Sequence, residues 1–334
     1  MKIAVFSCHD YEKAVFQKWN KKFGFDIDYL PQAFCKDTAG DSKPYDAICT
    51  FVNDIMDAEA LEILKQQKTR LIVLRCAGYD TVDLKAADKK GITVMRVPAY
   101  SPNAIAEFTI ASVMALNRHI PEAVARIASG NFDVNGLIGF DVHAKTVGVI
   151  GTGRIGKVVA RTFGLGFHCN MLLYDIVQAK EMTDLGFKYV SLDELLEKSD
   201  VISFHCPATK ATEHLVNKES LAKMKDGVLL VNTSRGKVVD TPALLDAIDS
   251  GKVRGAALDV YEGEGAQFYR TEAQRKTKDQ TLDRIIANPR VLLTGHLGYF
   301  TNEALNSIAE VTLRNVANFQ KGDLSANIAI EKYE

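Results

Sequence analysis

Thr146-Val147-Gly148-Val149-Ile150-Gly151-Thr152-Gly153-Arg154-Ile155-Gly156 is the stretch that decides the fold. An apolar run of buried-strand type leads into glycines at 151, 153 and 156, the spacing with which a strand turns into a helix over a phosphate. In that pattern Gly151 permits the tight turn, Gly153 lets backbone approach a pyrophosphate, and Gly156 allows close helix packing. The amino end of the helix favours the phosphate charge. Nineteen residues beyond Gly156, Leu172-Leu173-Tyr174 leads into Asp175, a carboxylate suited to accept hydrogen bonds from a ribose diol. A 2′-phosphate would meet a like charge there, so the reading is NAD rather than NADP. A glycine-rich turn with an incidental acid is the plainer alternative; strand, spacing and acid together speak against it. Dinucleotide binding by itself leaves the chemistry open.

Outward from this motif, short apolar runs alternate with amphipathic stretches. Strands are expected at 146–150, 171–174, 201–205, 228–232, 255–258 and 291–294, with helices at 155–163, 192–198 and 242–249, which is the arithmetic of a six-stranded doubly wound sheet. Upstream, strands at 2–8, 47–52, 71–75 and 92–97 alternate with helices at 11–23, 58–67 and 84–90. Ser101-Pro102 supplies a capping hydroxyl and a proline for the first helical position, and the apolar pattern then runs to Leu116, marking a boundary. An irregular loop follows around Asn131, Asn135, Gly136 and Gly139, and a final amphipathic helix spans 303–319. The tail 327–330 is expected to return to the first domain. The expected fold class is α/β with two doubly wound parallel-sheet domains. The smaller, flavodoxin-like one is discontinuous, 1–100 plus 300–334, and the larger Rossmann NAD-binding domain is 101–299.

At 334 residues the chain is long enough for two cores, and 47% hydrophobic with 25% charged residues is the balance of a globular protein. A formal charge of −1 offers no cationic excess for nucleic acid or an anionic membrane surface. No apolar stretch is long enough for a membrane span and the apolar start is too short for a signal peptide, so a cytoplasmic location is expected. Six scattered cysteines without a C-x-x-C pair read as reduced thiols, and no histidine grouping has metal-ligand spacing, so no metal is expected.

Three later segments present charged or titratable residues just past expected strands, the edge at which parallel sheets bind ligands. They are Val231-Asn232-Thr233-Ser234-Arg235-Gly236, Leu258-Asp259-Val260-Tyr261-Glu262-Gly263-Glu264 and Leu293-Thr294-Gly295-His296-Leu297-Gly298. Taken singly, Arg235 reads as a solvated turn residue as readily as a ligand, His296 as a structural histidine, and composition does not choose between Glu262 and Glu264.

With Arg75-Cys76-Ala77-Gly78-Tyr79-Asp80, Val97-Pro98-Ala99-Tyr100-Ser101-Pro102-Asn103-Ala104-Ile105-Ala106-Glu107 and His205-Cys206-Pro207, these segments and the glycine motif resemble the D-2-hydroxyacid dehydrogenase family, and most closely its D-lactate branch, over nearly the whole chain. The resemblance implies an NAD-dependent enzyme that reduces pyruvate to D-lactate. It assigns Arg235 to the substrate carboxylate and keto oxygen, His296 to acid/base work, and Glu264 to pairing with His296. Physical chemistry accounts for the types. Hydride arriving at carbon 2 leaves charge on oxygen that a proton donor must quench, a carboxylate beside an imidazole favours its acid form, and a planar guanidinium matches a carboxylate.

By the same resemblance Ala77, Gly78, Tyr100 and Tyr299 bind the small-molecule substrate. Arg154 and Ile155 touch the cofactor phosphates, Cys206 and Pro207 flank its adenosine half, and Thr233 and Asp259 lie near its nicotinamide. The resemblance also implies two domains closing on a hinge and a homodimer through the cofactor domain. Gly295 and Gly298 depart from the proline and alanine common around this histidine and would loosen its loop; the polar stretch 267–283 widens the spacing from glutamate to histidine. Two other readings stay in view: a relative acting on a bulkier 2-keto acid, and an NAD-binding corepressor that recruits partners.

Overall fold

Alternate residues of each strand face opposite ways, and in this chain both sets are apolar, so each sheet must be covered on both faces. The computed structural model describes residues 1–269 and 278–328. It divides into two units, an amino-terminal one made of Met1–Ser101 with Phe300–Glu334 and a central one, Pro102–Tyr299.

In the central unit the strands are β6 (Thr146–Ile150), β7 (Asn170–Tyr174), β8 (Lys188–Tyr189), β9 (Val201–Phe204), β10 (Val228–Asn232), β11 (Val253–Leu258) and β12 (Val291–Leu293). They form one sheet in the order β12-β11-β10-β9-β6-β7-β8, all parallel. This is the Rossmann order with an added strand at one edge. Val147, Val149, Leu229 and Val231 face a core shared with the helices Pro102–Asn117 and Arg154–Arg161. Ile150, Ile202, Phe204 and Leu230 face the opposite core, with Leu195, Leu221 and Leu244 of the other helices.

The amino-terminal unit holds β1 (Lys2–Val5), β2 (Asp26–Tyr29), β3 (Ala47–Thr50), β4 (Leu71–Leu74) and β5 (Thr93–Arg96) in the parallel, flavodoxin-like order β2-β1-β3-β4-β5. Its second face is closed by Phe16 of the helix Asp10–Asn20 and by Ala309, Leu313 and Val316 of the helix Asn302–Gln320. The tail joins the same unit: Ile328 N donates to the Val94 carbonyl at 2.8 Å and Asn327 Oδ1 accepts from Val94 N at 3.0 Å. Residues 329–330 of the expected return lie outside the described residues.

Seven strands replace the expected six, because the two-residue β8 is too short for any periodicity to announce it. The edge strand β2, Asp-Ile-Asp-Tyr, escaped for a related reason: none of its residues is buried, so it carries no apolar run. A helix at Ile120–Ala128, also without a buried residue, precedes the irregular loop. Most of the polar stretch 270–283 lies outside the described residues, and its end opens the helix Gln280–Ala287.

Several strands stop one or more residues before the apolar run does. In the amino-terminal unit the residues left over tie the sheet edge together. Arg75, just past β4, is fully buried; its Nε donates to Glu12 Oε1 at 2.7 Å and its Nη2 to the Ser7 carbonyl at 2.8 Å. Its guanidinium also lies 4.6 Å from the Phe51 ring centre. Asp54 accepts from Ser7 Oγ at 2.6 Å and from the backbone of Phe34 and Phe51, and burial raises its carboxyl above the usual range. The loops after β1, β3 and β4 are thereby fixed to one another beside Ala77 and Gly78.

Candidate functional site

Because all seven strands of the central sheet run one way, every loop that follows a strand leaves from the same edge. Along that edge the strand order sets out Asp175 after β7, the glycine turn after β6, Cys206 and Pro207 after β9, Thr233 and Arg235 after β10, Asp259 after β11, and His296 after β12. Five steps between neighbouring strands span about 24 Å at the usual spacing. The sheet's topological switch lies between β6 and β9, where ligands enter doubly wound folds.

The glycine turn has the shape its sequence requires. Gly151 sits at φ +93°, and a Cβ there would come within 2.6 Å of the His205 carbonyl carbon. The turn is thus pressed onto the strand end that carries Cys206 and Pro207. A Cβ at 156 would overlap the Gly151 carbonyl oxygen, whereas one at 153 would meet nothing within 4 Å. Gly153 is the N-cap of Arg154–Arg161 and offers no side-chain cap, and the first-turn N–H groups of a helix point out of its amino end. This open cradle at a helix amino end fits a pyrophosphate. Asp175 is half-buried; its Oδ2 accepts from Thr152 N at 2.5 Å and from Thr152 Oγ1 at 3.1 Å, and its Oδ1 from Val177 N at 3.0 Å.

At the other end of the edge, Glu264 Oε1 and His296 Nδ1 are 3.0 Å apart. The second carboxylate oxygen accepts from Tyr261 N at 3.1 Å, which fixes the acid's orientation. Glu262, which composition could not separate from Glu264, pairs instead with His214 Nε2 at 2.8 Å, and that hydrogen bond raises the His214 pKa. His205 is excluded from proton transfer near neutrality: burial pushes it down to about 3, and its Nε2 meets Ser203 Oγ at 2.7 Å.

His296 itself has φ +57°, a left-handed conformation uncommon for a side-chain-bearing residue. Asp259 holds it there. The Asp259 carbonyl accepts from His296 N at 2.8 Å, and its carboxylate from Thr294 Oγ1 at 2.6 Å, Leu297 N at 2.7 Å and Gly298 N at 2.9 Å. A Cβ at 298 would lie 3.1 Å from the Asp259 carboxylate. Gly298 therefore tightens the loop that it was expected to loosen, by letting its N–H reach the acid. Tyr269 Oη adds a hydrogen bond to the His296 carbonyl at 3.1 Å.

Arg235 leaves a turn built by Asn232, whose Oδ1 accepts from Ser234 N at 3.0 Å and Ser234 Oγ at 2.8 Å while its Nδ2 donates to the Arg235 carbonyl at 2.9 Å. The guanidinium Nη1 donates to the Ser234 carbonyl at 2.8 Å. Thr233 Oγ1 lies 2.8 Å from Thr109 Oγ1. A Cβ at 236 would overlap the Tyr261 carbonyl, so the arginine turn lies directly against the segment that leads to Glu264. Tyr299 is buried at the end of this unit.

In the amino-terminal unit Ala77 and Gly78 form a half-buried turn braced by Arg96 Nη1 on the Ala77 carbonyl and Cys76 Sγ on the Gly78 carbonyl. Among the described residues neither backbone N–H of Ala77 and Gly78 donates to a protein acceptor. Tyr100 is half-buried beyond β5. Sequence reasoning passed over Thr152, Tyr189, Asn232 and Thr109. Asn232 was findable, since Asn-x-Ser after a strand is the pattern of a side-chain-closed turn; the others depend on partners far away in the chain.

A parallel sheet with an open phosphate cradle and an acid at the next strand end defines an NAD-binding α/β protein of the dehydrogenase type. Residues 110–298 match the family model "D-isomer specific 2-hydroxyacid dehydrogenase, NAD binding domain". The chain is 47% identical to "2-hydroxyacid dehydrogenase homolog 1" of Schizosaccharomyces pombe, over 99% of this chain and 100% of that protein. Among solved structures it is similar to apo D-lactate dehydrogenase from Escherichia coli, with TM-score 0.87, 41% identity and coverage of 97% and 98% of the two chains. D-lactate dehydrogenase from Aquifex aeolicus, complexed with NAD and lactic acid, gives TM-score 0.88 and 35% identity over 99% and 100%. The chain belongs to the D-2-hydroxyacid dehydrogenase family. Its cofactor is NAD, and it is an oxidoreductase.

The close approach of the arginine turn to Tyr261 gives a direct test. Gly236→Ala must push Arg235 away from the Glu264 segment, and kcat/KM for the 2-keto acid is expected to fall by about tenfold to a hundredfold. Steady-state NADH oxidation by the purified variant checks this.

Proposed function

We propose that the chain is an NAD-dependent D-lactate dehydrogenase in which Arg235, Glu264 and His296 carry the chemistry. The observation behind the proposal is the Glu264–His296 hydrogen bond. An ionised carboxylate only accepts, so Nδ1 carries the hydrogen and Nε2 is the nitrogen that exchanges a proton with substrate. NADH, when bound, supplies the hydride to carbon 2 of pyruvate. His296 Nε2 delivers the proton to the oxygen on which charge grows, and Glu264 stabilises the imidazolium form that does so. Arg235 grips the substrate carboxylate and polarises the keto oxygen. The N–H groups of Ala77 and Gly78 and the hydroxyl of Tyr100 serve the same carboxylate, and Tyr299 lines the side-chain pocket. On the cofactor side Arg154 and Ile155 meet the phosphates, Asp175 the adenosine ribose, Cys206 and Pro207 the adenosine half, and Thr233 and Asp259 the nicotinamide end. Similarity to relatives titled D-lactate dehydrogenase, one of them with NAD and lactic acid bound, supports pyruvate as the substrate.

We further propose that the chain works as a homodimer through its central unit and resides in the cytoplasm. Ile120, Val124 and Ile127 of a helix without a buried residue, with Phe132, Val134 and Ile138 after it, are large apolar side chains left exposed. Patches of this kind mark association sites, and a two-fold axis lets one patch cover its copy.

Reduction consumes a proton at His296, so kcat/KM for pyruvate should fall as pH rises while kcat/KM for D-lactate oxidation rises; matching profiles in both directions would remove His296 from the role. A panel of 2-keto acids in the same assay should rank pyruvate first, and preference for a bulkier acid would replace the substrate while leaving the chemistry. Arg235→Lys, a point charge in place of a planar fork, should lower kcat/KM for pyruvate about a hundredfold or more. For the dimer, Val124→Asp with Ile138→Asp should shift the mass seen by light scattering from dimer to monomer.

A further inference from the structure

The acid read as the ribose acceptor is aimed by side chains that no part of the glycine motif specifies. Thr152, buried inside the glycine turn, places Oγ1 3.1 Å from Asp175 Oδ2 and 2.8 Å from Tyr189 Oη. Tyr189 Oη in turn lies 2.9 Å from Ala179 N. Chemistry fixes every hydrogen in this chain. A backbone N–H can only donate, so Ala179 donates to the tyrosine oxygen. An ionised carboxylate can only accept, so the threonine hydroxyl donates to Asp175 and must accept from the tyrosine hydroxyl. The three bonds therefore point one way, from Ala179 through Tyr189 and Thr152 to Asp175. Bonds aligned in this manner polarise one another.

The relay also determines which carboxylate oxygen remains available. Oδ2 receives both the N–H and the hydroxyl of Thr152, which fills its two lone pairs. Among the described residues Oδ1 receives only Val177 N and keeps one acceptor position. That oxygen sits at the open edge, where Ile176 and Val177 that follow are themselves exposed. The short edge strand β8 stands in the right place for this: its register sets Tyr189 opposite Leu173, one strand over from the segment that ends at Asp175. Ala179 closes the loop from 176 to 179 back onto the same hydroxyl.

We propose that Tyr189 and Thr152 are positioning residues that set the preference for NAD over NADP by holding the Asp175 carboxylate with Oδ1 toward the adenosine ribose. The proposal rests on the reading of Asp175 as the ribose acceptor. A carboxylate held in one rotamer binds the diol well and repels a 2′-phosphate strongly; a loosened one does both less well.

The test measures Kd for NADH and for NADPH by nucleotide fluorescence on the full chain. The variants are Thr152→Val, Tyr189→Phe, the double variant, Thr152→Ser and Asp175→Ala. Tyr189→Phe and Thr152→Val should each weaken NADH by about fivefold, the scale of one internal hydrogen bond, without weakening NADPH. Thr152→Ser, which keeps the hydroxyl, should restore NADH affinity. The double variant should match Thr152→Val, since both substitutions cut one chain in series. Parallel losses for both nucleotides, or effects that add in the double variant, would overturn the relay. Should Asp175→Ala narrow the preference while Thr152→Val and Tyr189→Phe do not, the relay fails and the ribose reading stands. If Asp175→Ala leaves the ratio of the two affinities unchanged, the ribose reading fails and the relay falls with it.

Discussion

The carboxylate of Asp259 is the interaction on which the substrate end of the site depends. Its backbone N–H donates to Asn232 at the end of β10, and its carbonyl and carboxylate together take four hydrogen bonds from residues 294–298 after β12. One residue thus splices the ends of three neighbouring strands. Left-handed backbone at a histidine costs on the order of 1–3 kcal/mol. Hydrogen bonds to a charged group contribute about 1.5–3 kcal/mol each, so three on the carboxylate outweigh the strain. The imidazole is then presented toward Glu264 by a loop with little freedom to relax, the kind of preorganisation a proton donor needs.

Much of this was legible in the sequence, for reasons that differ by element. Strand β6 with its glycines could be read because each glycine answers a local steric demand: a positive φ at 151, an overlap at 156, open space at 153. The long helices at 102–117 and 302–320 could be read because their apolar stripes repeat over several turns. Strand β8 carried no such pattern, since what stabilises it lies across the sheet, whereas the helix Ile120–Ala128 did carry a short stripe, Ile120, Val124 and Ile127, that was passed over because it spans barely two turns. The pairing of Glu264 with His296, separated by 32 residues, came from family resemblance; composition alone left Glu262 equally eligible. The same is true of the Thr152–Tyr189 contact across 37 residues, which no resemblance suggested. Local rules expose local geometry, while a side chain's distant partner is set by topology.

The parallel sheet gives the two ends of the site different jobs. Near β7 the groups are a carboxylate acceptor and the N–H donors of a helix amino end, suited to a ribose and phosphates. Near β10 to β12 they are a guanidinium and an acid-paired imidazole. Strand order alone separates the two sets, because β6 lies between β7 and β9 with the later strands stacked outward. The loops after β10, β11 and β12 therefore stand apart from the glycine turn along the edge.

The hydrogen-bonded imidazole–carboxylate pairs at His214 and His296 have a practical consequence. His214 with Glu262 is the more accessible of the pairs, with 42% of its side chain exposed against 20% for His296. Of the two, His214 is the one a histidine-directed acylating reagent reaches more readily, and His143 and His168 are exposed as well. Moles of label incorporated and moles of enzyme inactivated will then diverge, and peptide mapping that resolves position 296 from the other histidines connects chemical modification with loss of turnover.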